Sequence, residues 1–128
     1  MKIIEPSYII EDELNPQAMM KTIERAGRTC YKSEHNINDG SAERFITNII
    51  KRGHESVIEH EKITVRFICD RGVTHEIVRH RIASYSQEST RYCNYANDKF
   101  GNELTFIKPC FWDETTEDGK VKMELWKK

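Results

Sequence analysis

Three arginines, a histidine, three serines and a threonine fall within one run, Arg79-His80-Arg81-Ile82-Ala83-Ser84-Tyr85-Ser86-Gln87-Glu88-Ser89-Thr90-Arg91. A guanidinium carries a permanent charge and a planar fork of N–H donors, which suits it to grip phosphate through paired, charge-assisted hydrogen bonds. Ser and Thr hydroxyls add short neutral donors. Scattered surface arginines are ordinarily solvated or weakly salt-bridged, and three alone would be read that way. The density of hydroxyls between these three shifts the reading to a site for a ligand with several phosphates. Ser89 also invites a nucleophile assignment, which needs an adjacent general base. His80 is the nearest histidine in sequence, and sequence gives no proximity in space.

A second group is Gly53-His54-Glu55-Ser56, followed by Glu59-His60. Structurally this is a helix C-terminus with a capping glycine and a histidine favoured by the helix dipole. Such an end is also a firm platform for a ligand loop. Other chemistries are weaker. His75 and His80 are not spaced as a helical i, i+4 metal pair, and no Cys–His module accompanies them, so no metal is expected. Cys30, Cys69, Cys93 and Cys110 form no C-x-x-C pair and read as free thiols. Tyr85, Tyr92 and Tyr95 suit stacking on a planar ligand as well as they suit packing.

Elements must position these groups. Residues 3–10 are rich in β-branched side chains but broken by Pro6, which predicts an edge strand. Asn15-Pro16 predicts a cap and first turn of a helix with Ala18, Met19, Ile23 and Ala26 on its buried face and Gly27 as its stop. Asn38-Asp39-Gly40 is a turn, and Ser41 is the expected cap of a second helix burying Ala42, Phe45, Ile46, Ile49 and Ile50. Alternation over residues 63–69 predicts a strand. Asp70 then caps a third helix that carries Val73, Ile77 and Val78 and delivers the chain into Arg79. A turn at residues 98–102 precedes a strand at 104–107. Residues 113–120 read as polar and flexible, and 121–128 as the start of another element that needs an apolar partner for Leu125 and Trp126. The fold class expected is α+β, a mixed or antiparallel sheet flanked by helices, in one domain over 1–128.

The whole chain sets bounds. Its 128 residues suffice for one core, and 38% hydrophobic with 32% charged residues is ordinary for a globular protein. A net charge of −1 opposes broad adhesion to nucleic acid or anionic membrane, so anion binding must come from local clustering. No stretch approaches the roughly 20 apolar residues needed to span a bilayer. The first six residues are interrupted too quickly for a secretory signal. A cytoplasmic protein is expected, with no nucleic-acid or membrane partner.

The pattern Arg-His-Arg, seven residues, Ser, one residue, Arg resembles the signature of the flavin-dependent thymidylate synthases, the ThyX family. The resemblance implies that His54, Ser56, Arg79, His80, Arg81 and Gln87 bind FAD. It implies that Glu76, Arg79, Gln87, Glu88, Ser89, Thr90 and Arg91 bind dUMP. Ser89 is then a binding residue, not a nucleophile, and Cys30 is a weaker cofactor contact. Two positions depart from the usual family form: Glu76 is often glutamine there, and Gln87 is often glutamate. The implied reaction converts dUMP and methylenetetrahydrofolate to dTMP with FAD recharged by NADPH, in a homotetramer. Family members are longer, and the activating arginine is expected in a C-terminal half beyond these 128 residues; a truncated chain is the expectation.

Two further readings stay open. One is a non-catalytic flavin- or nucleotide-binding relative without the pyrimidine-activating half. The other is a nucleic-acid binder using Arg79, Arg81 and Arg91, which the near-neutral charge disfavours.

Overall fold

The computed structural model describes residues 2–128. Strands β1 (Lys2–Ile4) and β2 (Ser7–Ile10) are separated at Pro6, which has no N–H to give a ladder. Helix α1 (Pro16–Thr29) begins as its residue types predict: the Asn15 side chain accepts from the Ala18 N–H at 3.0 Å. Helix α2 (Ser41–Lys51) is followed by a 3₁₀ segment, Glu55–His60, and strand β3 (Val65–Ile68). Helix α3 (Arg71–Ile77) is capped by Asp70, which accepts from the Val73 N–H at 3.1 Å. Strand β4 (Thr105–Ile107) and helix α4 (Glu117–Lys127) follow. β1 pairs with β4 in parallel, Ile3 opposite Phe106, and β2 pairs with β3. The chain is α+β, as expected, with its strands in two-stranded sheets.

The chain divides into two compact units, one of residues Ile10–Arg66 and one of residues 2–9 with Phe67–Lys128. In the first, α1 packs against α2 and against the Glu55–His60 segment, burying Ile23, Ala42 and Ile49. Gly27 does not stop α1. It sits inside the helix, where an added Cβ would fall 2.6 Å from two Phe45 ring carbons and 2.8 Å from Val57 Cγ1. The missing side chain is what lets α1 approach both neighbours. Ala18 and Ile50, expected in the core, are exposed instead.

Glu24 is buried at 1% exposure and fully engaged. Arg28 donates to its Oε1 from Nε at 2.8 Å, and Ser41 donates to its Oε2 at 2.9 Å. The Arg28 guanidinium also lies 4.8 Å from the Phe45 ring centroid. Ser41 is therefore not the cap of α2. Gly40, in the left-handed region at φ +83°, takes that place, and the Ser41 hydroxyl joins two helices instead.

The other unit buries Met123 of α4 and sets Trp126 edge-to-face on Phe106, centroids 6.3 Å apart. Part of the stretch expected to be flexible is thus helical from Glu117. Thr116 caps it, donating to the Asp113 carbonyl at 2.8 Å and accepting from the Gly119 N–H at 3.0 Å. Lys108 bonds Glu114 at 2.6 Å and Glu5 at 2.9 Å, in that order of effect, and its ammonium is held well above the ordinary lysine range. All four cysteines are free. Among the described residues no helix is long and apolar enough to cross a membrane.

Candidate functional site

The end of α2 fixes the backbone of His54 without using its side chain. Gly53 adopts φ +68° and donates to the Ile50 carbonyl at 3.0 Å; His54 donates its backbone N–H to the Ile49 carbonyl at 3.1 Å. This pair of bonds closes the helix as a Schellman motif, and only glycine takes that backbone region without strain. The imidazole of His54 and the hydroxyl of Ser56 are exposed. Ile50, Glu55, Ile58, Glu59 and Glu61 line an open groove in this unit. Its glutamates would repel a phosphate, so the groove is not the anion site.

The arginine-rich run belongs to the other unit and begins as α3 unwinds. Arg79 donates its N–H to the Glu76 carbonyl and His80 to the Ile77 carbonyl, each at 3.1 Å. Beyond them, residues 81–86 make no hydrogen bond among the described residues. The chain is caught again at Gln87 and Glu88. Gln87 donates its side-chain amide to Thr74 Oγ1, and Arg71 Nη1 donates to the Glu88 carbonyl at 3.2 Å. Tyr95 donates its hydroxyl to the Glu88 carboxylate. That bond, reinforced by partial burial and the carboxylate's charge, pushes the Tyr95 phenol up to about 12. Ser89 then closes a turn: its carbonyl accepts from Cys93 at 2.9 Å, and its Oγ accepts from the Arg91 N–H at 3.2 Å.

Arg79, His80, Arg81, Gln87, Glu88, Thr90 and Arg91 are exposed and Ser89 is half-buried. The guanidiniums of Arg79, Arg81 and Arg91 make no ion pair among the described residues. Glu88, the one carboxylate within this run, accepts from the Tyr95 hydroxyl at Oε2. Exposed guanidiniums without ion-pair partners are the groups that a multiply charged anion would need. Of the tyrosines, Tyr92 is 80% exposed, while Tyr95 packs edge-on against Phe100 with centroids 6.0 Å apart. The sequence points to the run itself but not to Arg71 and Thr74, which tether it. The only signal for them is their i, i+3 spacing on the helix that precedes the loop.

Fold and loop together define an α+β protein that carries a run of exposed arginines. Comparison narrows this. The family described as "Thymidylate synthase complementing protein" matches residues 14–128. The flavin-dependent thymidylate synthase of Pyrococcus furiosus is 37% identical over 103 residues, covering 80% of this chain and 40% of that protein. A probable flavin-dependent thymidylate synthase of Mycobacterium phage L5 is 45% identical over 71 residues, 54% of this chain and 29% of that protein. The enzyme of Geobacter sulfurreducens is 38% identical over 82 residues, 59% of this chain and 35% of that protein. No solved structure matches. The chain belongs to the thymidylate synthase complementing protein family. It spans about two fifths of the length of the Pyrococcus furiosus relative.

Proposed function

We propose that this chain is the flavin- and nucleotide-binding portion of a flavin-dependent thymidylate synthase, acting in the reductive methylation of dUMP to dTMP. The observation that carries the reading is the set of unpaired, exposed guanidiniums of Arg79, Arg81 and Arg91, on a chain of this family. Those residues fit a dinucleotide and a nucleotide, each of which brings phosphate charge that the loop leaves uncompensated.

His54, Ser56, Arg79, His80, Arg81 and Gln87 are the residues that would hold FAD. Glu76, Arg79 and the segment Gln87, Glu88, Ser89, Thr90 and Arg91 would hold dUMP. Bound FAD supplies hydride chemistry, with NADPH as reductant and methylenetetrahydrofolate as the one-carbon donor. The chain's own contribution is placement and charge. Its guanidiniums anchor phosphates, and the turn at Ser89 offers short neutral donors to the nucleotide. Glu88 would contribute its backbone N–H, its carboxylate accepting from the Tyr95 hydroxyl and its carbonyl from Arg71. Among the described residues no histidine is bonded to the Ser89 hydroxyl, which supports binding over nucleophilic attack. Assembly into a homo-oligomer, a tetramer as in the family, is part of the same reading.

The test is flavin uptake followed by turnover. The purified chain is expected to take up FAD, seen as visible flavin absorbance, and Arg79→Ala with Arg81→Ala to lose it. A wild-type chain that stays colourless with excess FAD would sink the proposal. FAD and dUMP bound without dTMP formed from methylenetetrahydrofolate and NADPH would select the non-catalytic relative.

A further inference from the structure

The phosphate-binding run has a long unsupported span, residues 81–86, and one point at which it is fastened back to the fold. The fastening is a chain of donors with one direction. The Thr74 hydroxyl gives its single proton to the Arg71 carbonyl at 3.0 Å, and its lone pair receives the Gln87 amide. Arg71 in turn reaches the Glu88 carbonyl at 3.2 Å. With its proton committed to Arg71, Thr74 is an acceptor and Gln87 must be the donor. An amide does this; an ionised carboxylate has no proton to give. Gln87 therefore fits where the family usually carries glutamate.

We infer that Thr74 and Arg71 are positioning residues: they staple Gln87 and Glu88 to α3 and so set the shape in which the loop meets its nucleotide. The staple follows from the geometry alone; its service to a nucleotide rests on the function proposed above. Fastening the loop before the ligand arrives removes part of the ordering cost of binding. Thr74 touches no ligand in this scheme. It acts through Gln87.

The two parts separate experimentally. Thr74→Val removes the hydroxyl at nearly constant volume, and Thr74→Ser keeps it; unchanged far-UV circular dichroism checks that both fold. In the ligand-free chain, trypsin cleavage after Arg81 and Arg91 should accelerate about fivefold in the valine variant, because cutting tracks local opening. The serine variant should match the wild type. Equal rates in all three chains overturn the staple whatever the loop binds. The dissociation constant for dUMP, by equilibrium dialysis, should rise about tenfold in the valine variant and recover in the serine variant. Faster cleavage with unchanged dUMP affinity overturns the link to the nucleotide while leaving the staple. If the valine variant is cut faster and the wild-type chain binds no dUMP, the proposed function is overturned and, with it, that link.

Discussion

Ser41 and Glu24, seventeen residues apart in sequence, are joined by a 2.9 Å bond that ties the first turn of α2 to the middle of α1. Glu24 is also held by Arg28, so its carboxylate is paired on both oxygens despite complete burial. A buried charge is tolerable only when compensated this way.

Glu24→Ala leaves the Arg28 guanidinium without its partner in a largely buried place. A loss of about 3–5 kcal/mol is expected from that mechanism. Ser41→Ala deletes the charge-assisted bond to Glu24 and the acceptor that the Asn38 N–H uses at 3.0 Å, and should cost about 1–3 kcal/mol. Urea denaturation of the two single variants and the double reads both costs. The double should lose less than the sum, since both changes act on the same carboxylate.

Gly27→Ala should destabilise the unit Ile10–Arg66 by about 1–3 kcal/mol, the usual range for overpacking. Its Cβ meets aromatic carbons at 2.6 Å and a valine methyl at 2.8 Å. Adding Val57→Ala and Phe45→Leu should recover part of the loss in chemical denaturation. A stabilised G27A would show that α1 does not approach its neighbours this closely.

At Gly119, an added Cβ would fall 1.9 Å from the Asp113 carbonyl oxygen, which is backbone and has no rotamer to escape into. G119A is expected to cost upwards of about 2 kcal/mol and to reduce helical signal from α4. Gly101, at φ +84° with open space around it, supplies the contrast. There alanine meets only backbone strain, about 1–2 kcal/mol.

The Tyr95 phenol, raised to about 12 by Glu88, fixes the sign of an alkaline effect. A group whose folded value lies above its unfolded one stabilises fully below the unfolded value of 10.0 and loses that contribution as pH rises through the folded value. Ultraviolet titration should show one late-ionising tyrosine that disappears in Y95F and moves down in Glu88→Gln. On the acid side, the bond to Lys108 holds the Glu114 carboxyl below its usual 4.5. That contribution is present above 4.5 and is lost as pH falls through the lower folded value. Stability of wild type and Glu114→Gln should therefore converge as the solution is acidified.

Much of this architecture is legible in residue types. Asn15-Pro16, Asp70 and the break at Pro6 each act locally, and local chemistry is what a sequence displays. Gly27 and Ser41 mislead for the same reason. Read locally they are a stop and a cap, but their roles are set by Phe45, Val57 and Glu24, which come near only through packing. The candidate site divides likewise. The arginines are evident from spacing, whereas the staple at Thr74 depends on a fold-back of thirteen residues that no periodicity announces.

The span at residues 81–86 has a calorimetric consequence. Fixing a backbone residue costs roughly 1–2 kcal/mol of conformational entropy at room temperature. A ligand that gathers the guanidiniums on either side of this span must order several such residues. Its binding should register as a large favourable enthalpy opposed by an entropy penalty, the signature of coupled ordering. Raising the temperature should weaken that grip.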